Sequence, residues 1–200
     1  MKVLVTGGAG LVGSECCRHF AGLGHEVTSI DNYARGEFFG ADGDTRSEID
    51  RLLGEHPTLV HHDLDIRDVD SIRPLVAASD LIIHAAAQPS HPRSVEIPLE
   101  DFSVNAQGTL GMLELCRQEN PDVIFIFCST NKVYGDRPNT LPIVEKETRF
   151  DYVDRDGIDE TLSVDQSMHT PFGVSKTTAD LYTQEYARLY GLRTGVFRVG

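Results

Sequence analysis

Positive charge is scarce in this chain. Lys and Arg number 18 against 31 Asp and Glu, a formal net charge of -13. Nucleic acids and anionic membranes are gripped by clustered cations, so neither is expected as a partner. A small anion is still within reach, because local backbone geometry holds phosphate even in an acidic protein. Long apolar runs are missing too. None approaches the ~20 residues that cross a bilayer, and Met1-Lys2 leads straight into a strand pattern, so no signal peptide is expected. Cysteine is sparse: Cys16, Cys17, Cys116 and Cys128 show neither CxxC spacing nor a histidine at metal-ligand distance in sequence. Buried free thiols in a reducing cytoplasm are expected, with no metal site. No internal repeat or low-complexity tract occurs.

What is present is ordinary globular composition, 40% hydrophobic and 24% charged over 200 residues, enough for one domain with a full core. Strand and helix patterns alternate from the first residue. The short apolar runs KVLVTG, HEVTSIDN, TLVHHDLD, DLIIHAAA, DVIFIFCST and LRTGVFRVG read as strands buried on both faces. Between them LVGSECCRHFAGLG, VDSIRPLVAA, EDFSVNAQGTLGMLELCRQEN and PFGVSKTTADLYTQEYARLYG carry helical periodicity, with a further short helix over Thr45–Leu53. The βαβ order predicts a doubly wound parallel sheet, the Rossmann fold, with right-handed crossovers. Ligands of such sheets bind beyond the C-terminal strand ends. The irregular stretch Tyr134–Met168 is long for a loop, and long ordered loops are usually functional.

TGGAGLVGS joins the first strand to the first helix. Its Gly7, Gly10 and Gly13, with Gly8 offering a second register, allow a tight turn and let backbone approach a pyrophosphate at the helix N-terminus. Leu11 and Val12 belong to the same loop. An acidic residue about 20 positions on completes a dinucleotide site. That residue is Asp31, followed by Asn32. A carboxylate there accepts hydrogen bonds from ribose hydroxyls and repels a 2′-phosphate, which favours NAD over NADP, although Arg35 is close in sequence. Asp65 ends the third strand and has two readings, a contact to adenine with Ile66 packing on the ring, or a helix cap; Asp68 is the better cap.

TGGAGLVG, DN, DLDI, HAAAQ, VNAQGTL, STNKVYGD and the lysine of FGVSK together resemble the extended short-chain dehydrogenase/reductase family along the whole chain. The resemblance implies NAD as cofactor and a nucleotide-activated sugar as substrate, epimerised by transient oxidation and re-reduction of one carbon. It also implies that Ala85, Ala86 and Ala87 line the cofactor and that Asn105 steadies it from the long helix. Thr130 would hydrogen-bond the reacting hydroxyl, and Lys176 would hold the nicotinamide ribose. Gln88, Asn131 and Lys132 are candidates for binding the sugar or its diphosphate. A 4,6-dehydratase is disfavoured, because Asn131 and Lys132 stand where that activity places an acidic pair.

The family's acid/base tyrosine lies four residues before the lysine. Residues i and i+4 share a helix face, so both reach one site. Here that position is Phe172, which cannot carry a proton. A replacement is sought among Tyr134, His169, Lys132 and Asp136, of which His169 has the most suitable ordinary pKa; the other readings are a protein that binds NAD and a sugar nucleotide without turnover, and a related reaction for which the tyrosine is dispensable. Family members continue into a smaller C-terminal substrate domain, so residues 1–200 are expected to be the NAD-binding domain of a longer chain. A homodimer through the two long helices is the expected assembly.

Overall fold

The run Lys2–Thr6 forms β1, and its neighbours in the sheet are set by burial on both faces. The computed structural model describes residues 1–200, the Phe38 side chain excepted. After β1 come α1 (Leu11–Gly22), β2 (Glu26–Asp31), α2 (Ala34–Phe39), α3 (Arg46–Glu55), β3 (Val60–Asp63), α4 (Val69–Ala77) and β4 (Leu81–His84). The second half runs α5 (His91–Glu96), α6 (Pro98–Phe102), a π-turn (Ser103–Gln107), α7 (Gly108–Glu119), β5 (Ile124–Thr130), β6 (Ile143–Glu145), β7 (Phe150–Tyr152), α8 (Pro171–Tyr190) and β8 (Arg193–Val199). The six long-range strands form one parallel sheet in the order β3-β2-β1-β4-β5-β8. This is the doubly wound Rossmann arrangement, with the strand order reversing between β1 and β4. Apolar side chains from both faces form two cores, one around Leu4, Ile82, Phe125 and Phe127, the other around Val3, Val5, Leu52 and Ile83.

Two expectations from sequence change. Residues 100–120 are not one α-helix. The amide of Gly108 reaches the carbonyl of Ser103, a five-residue span, so α6 and α7 are joined by a wider turn. The residues after HAAAQ also form α5, capped by Ser90, whose side chain accepts from the Arg93 amide. The long segment after β5 contains only the small antiparallel hairpin β6–β7 and short 3-10 turns. All four cysteines are free thiols, and no described helix is long and apolar enough to cross a membrane.

Buried polar groups join the layers. His84 is almost wholly inaccessible and stands between Thr6 and Thr109. Thr109 gives its proton to the Asn105 carbonyl, so it accepts from Nε2–H of His84; Thr6 accepts from the Ala86 amide, so it donates to Nδ1. The ring is thereby fixed as the neutral Nε2–H tautomer, and burial holds its pKa down at about 3.

Asp180 on α8 is fully buried and pairs with Arg198 on β8 at 2.9 and 3.1 Å. It also accepts from Ser129 at 2.7 Å and Gln184 at 2.6 Å. Burial opposes the charge, but these donors outweigh it and keep the carboxyl ionised. Removing one partner of such a pair strands the other's charge. Asp180→Ala is expected to lower stability by about 3–5 kcal/mol in chemical denaturation, while Asp180→Leu with Arg198→Met loses less than the single change. A single variant as stable as the native chain would show that the pair does not anchor β8.

Candidate active site

The glycine loop fits a dinucleotide phosphate because there is no room for side chains. Gly7 lies at φ +70°, and a Cβ there would come within 2.6 Å of the Ala86 amide nitrogen. A Cβ on Gly13 would strike the Gly7 carbonyl. The loop therefore packs backbone on backbone and leaves the amides at the start of α1 facing a cleft of about 240 Å³. Gly7, Gly10, Leu11, Val12, Gly13, Asp31, Asn32, Asp65, Ile66, Ala85, Ala86 and Ala87 all line this cleft. They follow β1, β2, β3 and β4 in turn, which is why residues far apart in sequence meet there. Arg35, Thr45 and Val104 are also part of its wall.

Asp31 is held by backbone. Its carboxylate accepts from the amides of Ala9 at 3.0 Å and Tyr33 at 2.8 Å, which fixes it at the rim. Asp65 is not a helix cap; it pairs with Arg67 at 2.6 Å and accepts from Asn32 at 2.9 Å. Arg67 is the main reason its carboxyl lies below the usual range. Asp68 caps α4 through the Ser71 amide.

Asn105 and Lys176 do not line the cleft. Asn105 is buried, and its side chain joins Gln88, Asp101 and Ser175. Lys176 is also buried; its ammonium donates to the Cys128 carbonyl at 2.7 Å and sits 4.2 Å from the centre of the Phe127 ring. It thus points to the end of β5, where Thr130 follows two residues on. Thr130 accepts from the Lys132 amide, and Asn131 and Lys132 are exposed beside a second cavity of about 550 Å³.

The structure corrects the sequence reading at Gln88. It is fully buried, and its amide donates to Asp101 at 2.8 Å and to the Ser90 carbonyl at 3.0 Å, so it faces no ligand. Three of the four groups considered as a proton carrier are occupied as well, and the fourth, Lys132, is the exposed ammonium beside the second cavity. The Tyr134 hydroxyl donates to the Asp159 carbonyl and accepts from Arg198. Both ring nitrogens of His169 face carbonyl oxygens, of Val164 at 3.0 Å and Lys132 at 3.3 Å. Asp136 accepts from Ser167 and the Met168 amide. These three brace the long segment against the turn after β5. Phe172 is buried on α8, one turn before Lys176, and its ring lies 4.6 Å from that of His91, centre to centre. His91 has no marker in the sequence beyond its place seven residues after β4; only the packing finds it.

A parallel sheet whose strand order reverses over a glycine-walled cleft, with the Lys176 ammonium brought to the end of β5, defines a dinucleotide-binding Rossmann scaffold. The sequence profile described as the NAD dependent epimerase/dehydratase family matches residues 3–200, and the chain belongs to that family. It is 37% identical, over 99% of its length and 56% of the relative's, to CDP-paratose 2-epimerase of Salmonella typhi. It is 30% identical, over 98% of its length and 54% of the relative's, to a putative UDP-glucose 4-epimerase of Methanocaldococcus jannaschii. The UDP-glucose 4-epimerase of Thermus thermophilus, solved with NAD, superposes with a TM-score of 0.71 at 30% identity, covering 99% of this chain and 54% of that one. A phenylalanine-for-tyrosine mutant of UDP-glucuronic acid 4-epimerase from Bacillus cereus, solved with a UDP-sugar analogue and NAD, gives 0.77 at 25% identity, covering 99% and 56%. The chain spans about half the length of the curated relatives it matches.

Burial lowers the Lys176 ammonium to about 8 from the ordinary 10.5. Below pH 8 both folded and unfolded chains carry the charge, and holding it inside costs about 3 kcal/mol. Above 10.5 the amine is neutral in both and the penalty is gone. Lys176→Met is therefore expected to raise the denaturation midpoint at pH 7, with the advantage shrinking steadily between pH 8 and pH 10.5. An advantage that is the same at pH 7 and pH 10, or absent at both, would mean that the ammonium is not strained by burial.

Proposed function

We propose that this chain is the NAD-binding domain of a nucleotide-sugar epimerase, with inversion at C2 of CDP-paratose as the specific reaction. The observation that carries the reading is the cleft in which the glycine loop, Asp31 and the Ala85–Ala87 backbone face one another. Its crowded glycines suit a pyrophosphate, and the carboxylate held at the rim suits an unphosphorylated ribose, hence NAD. The choice of CDP-paratose rests on the 37% identity to the Salmonella typhi 2-epimerase across nearly the whole chain.

NAD supplies reversible oxidation of a secondary alcohol, in which the carbon's hydrogen is taken with its electron pair and returned to the opposite face of the sugar. The chain's own groups orient and polarise. Lys176, at the foot of β5, presents donors beyond its Cys128 bond to a ribose hydroxyl. Thr130 offers its hydroxyl to the reacting oxygen, and Asn131 and Lys132 face the sugar diphosphate from the rim of the second cavity. Asn105 acts behind them, fixing the loop after β4. Phe172 favours a second reading, a protein that binds NAD and a sugar nucleotide without turning the sugar over.

A homodimer is the assembly we assign, through the long helices. Leu99 and Phe102 on α6, which leads into α7, and Leu181 and Tyr182 on α8, expose apolar surface that a second copy would cover. Light scattering after gel filtration is expected to give twice the chain mass, and a monomer at micromolar concentration rules this face out as the interface.

Incubation with NAD and CDP-paratose, followed by NMR of the sugar, is expected to show inversion at C2. NAD binding with the sugar unchanged would reject the substrate and leave the binder; inversion of UDP-glucose instead would reassign the reaction to C4.

A further inference from the structure

We infer that His91 carries the proton in this protein, in place of the phenol missing at Phe172. The inference rests on the epimerase reading above. The imidazole packs on the Phe172 ring at 4.6 Å between centres, with the planes inclined at 59°. Phe172 is one helical turn from Lys176, so the group stacked on it stands beside the place where a phenol on α8 would end. Phe172 itself is 6% exposed, and His91 is the half-buried, titratable layer over it.

The ring is held as a base needs to be. Nδ1 lies 3.1 Å from the Thr170 hydroxyl, which caps α8 by accepting from the Gly173 amide. Among the described residues Nε2 has no partner. Thr170 keeps a second lone pair after its Gly173 bond, so the Nδ1–H tautomer of His91 can donate to it, and in that tautomer the lone pair on Nε2 is left for a substrate hydroxyl. The backbone under the ring is rigid, because buried Gln88 grips both the amide and the carbonyl of Ser90, at 2.5 and 3.0 Å. Gln88 is therefore a positioning residue for His91, which accounts for an amide that binds no ligand.

The electrostatics agree. Burial and then the nearby Lys132 cation push the imidazole below its ordinary pKa, while Asp101 pulls weakly the other way. The shift favours the neutral ring, the form that can accept a proton. In the oxidative half, the sugar O–H bond breaks and its proton forms an N–H bond on Nε2. The electron pair left on oxygen becomes the carbonyl π bond, as the carbon's hydrogen departs with its own pair to the dinucleotide. In the return half, the imidazolium gives the proton back to the carbonyl oxygen.

His91→Asn, assayed with NAD and CDP-paratose or UDP-glucose, is expected to lose about 10²–10⁴-fold in kcat. NAD affinity and melting temperature should stay near native, and the acidic limb of the native pH profile should vanish. A kcat within about threefold of native with that limb intact overturns the inference, at an effect far below the usual general-base contribution. If neither sugar turns over in the native protein, the epimerase reading fails and His91 is judged separately. Its imidazole resonances, assigned by their loss in His91→Asn, are followed by NMR as NAD and then CDP-paratose are added. A shift and a changed titration midpoint on sugar-nucleotide addition support contact with the ligand. Unmoved resonances overturn the role even if the protein proves to be an epimerase.

Discussion

Three segments of the site meet on one buried carboxylate. Asp101 accepts from Ser175 on α8 at 2.5 Å, from Gln88 after β4 at 2.8 Å and from Asn105 in the π-turn at 3.2 Å. No described cation pairs with it, and burial pushes its pKa up, with the two hydroxyl and amide donors pulling back. A carboxylate in such a place is tolerable only when several donors share it. The cohesion is therefore mutual: each donor needs Asp101, and Asp101 needs all of them. Through Gln88 the network sets Ser90 and the His91 ring; through Ser175 it sets the turn of α8 that carries Phe172 and Lys176.

The two cavities differ in the chemistry of their walls. The cleft between the β1 and β4 ends is walled by backbone, glycine and alanine, with carboxylates kept at its rim. The second cavity, after β5 and beside β8, is bordered by side chains with hydroxyl, amide, ammonium and guanidinium groups. Lys176 lines neither and is buried in an apolar setting of Phe127 and the end of β5. Its lowered pKa follows from that burial, and with one carbonyl partner the ammonium keeps donors to offer.

The sheet and the cleft were legible in the sequence because their signals are local. Apolar runs give the strands, the glycines of TGGAGLVG give the turn, and Asp31 sits at a fixed distance from them. Polar residues inside the domain were not legible in the same way. Gln88 reads as a free amide after a strand until Asp101, 13 residues on, and the Ser175–Asp101 bond across 74 residues are seen. Tyr134 and His169 were reasonable proton carriers by residue type, but their polar atoms are occupied by Asp159, Val164 and Lys132, from a segment whose path has no periodic signature. His91 is the reverse case: a histidine at the start of α5 with no motif around it, given meaning by the ring it covers.

The π-turn at Ser103–Gln107 has a consequence for how this stretch tolerates change. One residue more than an α-helix needs lies between α6 and α7, and one residue turns a helix by about 100°. The turn lets Asp101 and Asn105 face the network while Met112 and Leu113 face the core. Exposed Gln107 can vary without disturbing that phase. Loss of a single residue, of whatever kind, swings either the network or the core face outward. What the packing of this segment depends on is a count, and a gap in it is a graver change than a substitution.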